Sequence, residues 1–170
     1  LQRDCPLVIP LGEGYPLEKL AEALGNPPRL GMLPSVPYGW RGSGLAVPEA
    51  LLGAYLRNLV HSLRDDGFSR VYALTPQGVD LGLGADRLVL PYTTHASPPL
   101  PPNNQCEKVI IIPIGHIEQH GYHLPLSVDT LCIEAVAQGT AAAIPDQAFT
   151  LPVMPYGVSM HRSCFAGTLN

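Results

Sequence analysis

A mainly parallel α/β sheet flanked by helices, laid out as two pseudo-repeated units, is the fold class expected of this sequence. Two apolar runs ending in proline, LVIP at Leu7–Pro10 and VIIIP at Val109–Pro113, read as strands. Each is followed by a helical pattern and then another apolar run, and a strand, helix, strand order repeated twice favours parallel pairing. The third feature is a shared P-Y-G core, at Pro37-Tyr38-Gly39 and again at Pro155-Tyr156-Gly157.

The first unit is expected over residues 1–94. Its Leu7–Leu24 segment parallels Val109–Gly139 once a polar loop is deleted, and Arg29–Gly44 shares the layout of Ala148–Cys164. Pro48–Leu63 reads as a helix, with Pro near its start and Leu51, Leu52, Tyr55, Leu59 and Leu63 at spacings of three and four. RDDGF at Arg64–Phe68 closes that helix, and SRVYALTP at Ser69–Pro76 reads as the next strand. At His95–Gln105, HASPPLPPNNQ is too rich in proline for regular structure and reads as a stiff linker. Residues 106–170 then form the second unit.

In that unit Val109–Pro113 is β-branched throughout its first four residues, so it is expected as a strand buried on both faces, turning at Gly115. The turn delivers Glu118, Gln119, His120 and His123 to the strand's carboxyl end, where ligands bind in open α/β sheets. Glu118 and His120 project the same way if the segment is extended, and Asp129 is brought back by the stiff LPLSV stretch. Two carboxylates and one imidazole suit a divalent transition ion, most simply zinc or manganese. The alternative is a solvated Gly/Pro-rich loop. Asp129–Ile144, with Leu131, Ala135, Val136 and Ala143 at helical intervals, reads as a crossover helix that holds Asp129 near its N-terminus. Phe149–Gly157 reads as the second strand.

The stretch GHIEQHGYHLPLSVD, Gly115 to Asp129, resembles the creatininase family of metal-dependent amidohydrolases, whose hallmark is G-S-x-E-Q-H-G-P-H-L-P-L-x-T-D. His116 stands for Ser, Tyr122 for Pro and Val128 for Thr. A second block agrees: the family's Y-G-x-S-x-E-H-x-x-F-P-G-T stands as YGVSMHRSCFAGT, Tyr156 to Thr168, with Met160 read against the Glu and Ala166 against the Pro.

The resemblance implies Glu118 as a ligand of one metal, His120 as a ligand of another and Asp129 as the bridge between them. One or two ions of zinc or manganese, with iron also admitted, are therefore expected. The implied reaction is hydrolysis of an amide C–N bond by a metal-bound water, in a cyclic amide, a formamide or a peptide. His123, Ser159 and His161 are expected on the substrate-binding wall, and no residue is assigned as the catalytic acid or base. The family's remaining ligands lie on an N-G-H-x-x-N strand. In the first unit the matching place reads TPQGVD, Thr75–Asp80, with Gln77 where the His belongs, so that unit is expected to be a degenerate, non-catalytic copy. A C-terminal continuation or a second chain is expected to supply the missing strand, within a homo-oligomer. The competing reading is a metal-lacking pseudoenzyme or structural subunit of a creatininase-like assembly.

Composition bounds the rest. With 170 residues, 46% hydrophobic and 14% charged, the chain can bury a respectable core. A formal net charge of −4 and no Lys/Arg cluster argue against nucleic acid as a partner. No apolar run approaches the roughly 18 residues of a membrane span, and the opening LQRDCPLVIP does not resemble a signal peptide, so no membrane partner and a cytoplasmic location are expected. Cys5, Cys106, Cys132 and Cys164 form no C-x-x-C pair and are expected as reduced, mostly buried thiols. Cys164 near His161 could also pair as a nucleophile and its base. His61 and His95 stand alone, without a neighbouring carboxylate or second His.

Overall fold

The computed structural model describes residues 3–91, 107–162, 164–165 and 167–169. The expected linker and His95 lie outside them. The chain divides into two compact units, Leu1–Pro98 and Pro99–Asn170. Among the described residues no helix is long and apolar enough to cross a membrane.

The first unit runs β1 (Leu7–Pro10), α1 (Leu17–Ala23), β2 (Gly31–Met32), α2 (Glu49–Asp65), β3 (Val71–Leu74) and β4 (Arg87–Leu88). Its strands form one parallel sheet in the order β2-β1-β3-β4. β1 is central, and Leu7, Val8 and Ile9 are buried, as both-face burial of a parallel strand requires. Proline is tolerated at its end because the pairing there uses the Pro10 carbonyl, which accepts from Val36 N–H at 2.8 Å.

α2 begins just after Pro48, whose fixed φ suits a helix entry. It closes on the RDDGF sequence by a glycine cap: Gly67, at φ +93°, donates to Arg64 O at 2.8 Å and Phe68 N–H donates to Leu63 O at 3.1 Å. Its buried face is Leu52, Leu56, Leu59, Val60 and Leu63, whereas Leu51 is exposed. The stripe is turned from the expected one because Gly53 faces the Leu81 carbonyl so closely that a Cβ would collide with it.

The second unit holds β5 (Val109–Ile111), α3 (Val128–Ala143) and β6 (Ala148–Thr150), with β5 and β6 parallel in the register Val109↔Ala148, Ile110↔Phe149, Ile111↔Thr150. The crossover helix sits where the sequence puts it, but both strands are shorter than expected. Pro113, Pro152 and Pro155 have no N–H to donate, so beyond the ladder the pairing continues through isolated bonds, Leu151 N–H to Ile111 O, Met154 N–H to Pro113 O, Gly115 N–H to Met154 O and Gly157 N–H to Gly115 O. Nor is β5 buried on both faces: Ile110, Ile112 and Ile114 are each more than half exposed. Leu131 and Val136 on α3 are likewise exposed, and only Ala137 of that helix is buried. Two strands and one helix cannot cover all of each other's apolar surface. The thiols also depart from expectation, since Cys5 is buried but Cys132 and Cys164 are exposed.

Candidate metal centre

Two loops at the carboxyl ends of β5 and β6 build the site. They touch at Gly115 and Gly157, where Gly157 N–H donates to Gly115 O at 2.7 Å. A Cβ on Gly157 would lie 2.5 Å from the His116 ring, and one on Gly115 would run into Thr130 in the first turn of α3. The glycines thus let the β5 loop, the β6 loop and the start of α3 close on one another.

From Gly115 the chain reaches Glu118, whose N–H donates to Leu126 O at 3.2 Å and so folds the loop back toward α3. The Leu169 N–H donates to Ile117 O at 2.9 Å and covers the other side. Glu118 is in consequence only 5% exposed. A buried carboxylate needs partners. Its Oε2 accepts from the hydroxyl of the fully buried Ser159, and its Oε1 lies 3.8 Å from Arg162 Nε.

His120 supplies the observation on which the chemistry turns. Its Nδ1 lies 3.2 Å from the Glu118 backbone carbonyl, which can only accept, so Nδ1 carries the proton. In the neutral ring Nε2 is then a lone pair. That nitrogen lies 3.3 Å from Asp129 Oδ1 and 3.7 Å from Glu118 Oε1. The three donor atoms all fall within 4.8 Å of one another. Three electron-pair donors facing one point repel unless a cation or a proton lies among them, and the hydrogen bond at Nδ1 is the one that metal-ligating histidines make. A divalent ion fits this donor set.

The structure therefore brings Glu118, His120, Asp129 and Ser159 together. Ser159 directs its hydroxyl at Glu118. His123 and His161 are exposed and make no hydrogen bond or ion pair among the described residues. His61, on α2, is also exposed.

Arg162 is the residue that sequence reasoning missed. It closes the short 3₁₀ turn Met160–Arg162, its guanidinium carbon lies 5.9 Å from the Phe165 ring centre, and its Nε is buried with no hydrogen bond among the described residues. The signal was available: counted position by position, the second family block puts His161 at its Glu and Arg162 at its His, while Met160 falls on a variable position. Two further buried atoms beside the site, His116 Nδ1 and Gln119 Oε1, have no hydrogen-bond partner among the described residues.

Residues 96–170 match the family model described as Creatininase, creatinine amidohydrolase. The mycofactocin precursor peptide peptidase of Mycobacterium tuberculosis (strain CDC 1551 / Oshkosh) is 38% identical over 69 residues, which is 36% of this chain and 28% of that protein. The protein of the same name from Mycobacterium ulcerans is 37% identical over 68 residues, and that from Mycolicibacterium smegmatis 39% over 67, each covering 36% of this chain and 27% of the relative. No solved structure matches the chain significantly. Residues 96–170 are thus similar to the creatininase family, and the chain spans little more than a quarter of the length of the curated relatives it matches.

Proposed function

We propose that the second unit carries part of the metal centre of a hydrolase that cleaves amide C–N bonds, with a peptide as the substrate class. The convergence of His120 Nε2 with the Glu118 and Asp129 carboxylates carries this reading. The peptide substrate is supported by the relatives, which are named as peptidases of a precursor peptide.

In this reading Glu118, His120 and Asp129 hold zinc or manganese. Such an ion, when bound, brings the pKa of its water down toward about 7 and polarises a carbonyl. Glu118 is oriented by Ser159 and balanced by Arg162, His120 is fixed in its tautomer by the Glu118 carbonyl, and Asp129 sits in the first turn of α3, where the helix field favours a carboxylate. These three side chains would supply three protein ligands to an ion held there, and water or substrate would have to complete its coordination. A second ion would need further ligands from outside these residues. His123 and His161, both exposed, are free to meet a substrate. The exposed free thiols of Cys132 and Cys164 suit a reducing compartment such as the cytoplasm.

Titration calorimetry of the chain with zinc and with manganese tests this directly. Saturable binding that is lost in Glu118→Gln, His120→Ala and Asp129→Asn supports it. Binding that survives all three substitutions, or none in the unsubstituted chain, favours the metal-lacking pseudoenzyme or structural subunit.

A further inference from the structure

Arg162 stands beside the point on which the three donors converge. Its Nε lies 3.8 Å from Glu118 Oε1, and that same oxygen lies 3.7 Å from His120 Nε2. At this distance the contact with Glu118 is an ion pair and not a hydrogen bond. A guanidinium has five N–H donors, and none of those on Arg162 is hydrogen-bonded among the described residues. Nε is buried, and the rest of the side chain is partly open to solvent. The Phe165 ring, 5.9 Å from the guanidinium carbon, is within cation–π range and steadies the group.

Charge decides what such a group can take. Glu118 and Asp129 bring two negative charges, which a divalent ion held among them offsets, so the charge of the guanidinium is left over. That charge is permanent, whereas the His that the family motif has at this position would carry it only when protonated. A planar fork of N–H donors matches a carboxylate, which it can bind through two parallel hydrogen bonds. Its surroundings are apolar as well as open: Val158, Met160 and Phe165, on the same short segment, are all exposed.

We propose that Arg162 is a specificity-determining residue that binds a carboxylate of the substrate beside the metal centre, either the carboxyl end of a peptide or an acidic side chain. The exposed Val158, Met160 and Phe165 favour an apolar side chain next to that carboxylate. This rests on the metal reading for the neighbouring ion, but the fork belongs to the chain with or without one.

NMR titration of the 170-residue chain with three probes tests the assignment. Acetyl-Ala-Phe has a free carboxyl end, acetyl-Ala-Phe-amide has no carboxylate, and acetyl-Asp-Phe-amide has one on a side chain. With saturating zinc, one of the two acids is expected to bind about 10-fold tighter than the uncharged amide and to move the Arg162 Nε–H resonance. Whichever acid does so names the source. In Arg162→Met the preference is expected to fall to within about 2-fold. In EDTA it is expected to weaken, because Glu118 and Asp129 then repel the acid. A preference that depends on Arg162 and is the same with and without zinc would sink the metal reading and leave the carboxylate site standing. Equal binding of acids and amide to the unsubstituted chain overturns the proposal. So does acid binding that leaves the Arg162 resonance unmoved, or a preference kept in full by Arg162→Met, which would assign the carboxylate to the ion alone.

Discussion

Gly157 N–H donates to the Gly115 carbonyl at 2.7 Å, and neither glycine has space for a side chain. Gly115 lies against Thr130 at the start of α3 and Gly157 against the His116 ring, so this pair sets how near the Glu118 loop comes to Ser159 on one side and Asp129 on the other. Overpacking of a tight contact costs about 1–3 kcal/mol. Gly115→Ala and Gly157→Ala are each expected to lower stability by about 2 kcal/mol and to weaken metal binding, as read by urea unfolding and calorimetry. Unchanged metal affinity in both would mean that the loop contact does not position the ligands.

Removing a ligand and removing its support should differ in scale. Glu118→Gln, His120→Ala or Asp129→Asn is expected to weaken zinc or manganese binding by about 100-fold or more, because each deletes one of three donors. Ser159→Ala is expected to cost about 10-fold, since Glu118 keeps its oxygens but loses the hydroxyl that orients them. Equal losses for Ser159→Ala and Glu118→Gln would remove the distinction between ligand and support.

Arg162 should act in the opposite sense. Its Nε, itself buried, lies 3.8 Å from Glu118 Oε1, the oxygen it would share with whatever cation the site takes, while the rest of the Arg162 side chain is partly open to solvent. Like charges at such range repel by about 1 kcal/mol where solvent still screens them. Arg162→Met is therefore expected to tighten metal binding by about 5-fold, measured by calorimetry at fixed ionic strength. Weaker binding would instead make Arg162 part of what holds Glu118 in place.

In the first unit, burial raises the Asp66 carboxyl above its ordinary value, with the neighbouring Asp65 adding to the rise and Arg3 opposing it. Asp66 also caps the C-terminus of α2, where negative charge is unfavourable, and its Oδ2 is buried without a partner among the described residues. A folded-state pKa above the unfolded one means that folding takes up a proton, so stability falls as pH rises from the unfolded value of 3.8 through the raised one. The penalty is complete at neutral pH. Asp66→Asn is expected to gain about 0.5 kcal/mol at neutral pH and to gain nothing near about pH 3. Thermal melts across that range check both limits.

Much of this protein is determined by its sequence alone. Apolar runs with β-branched residues, a proline at a helix start and a glycine at its close are local signals, and they locate β1, β5, α2 and α3 to within a few residues because backbone preferences act over a few residues. The spacing of Glu118, His120 and Asp129 in a strand-end loop is similarly legible, since these residue types have few reasons to cluster there. Tertiary structure decided what lies far apart in the chain. Ser159 reaches Glu118 across 41 residues, and Arg162 reaches it by a short 3₁₀ turn that leaves no periodic pattern. The depth of burial of β5 is decided in the same way: its composition equals that of a core strand, but burial depends on neighbours, and β5 has β6 on one edge where β1 has β2 and β3 on two.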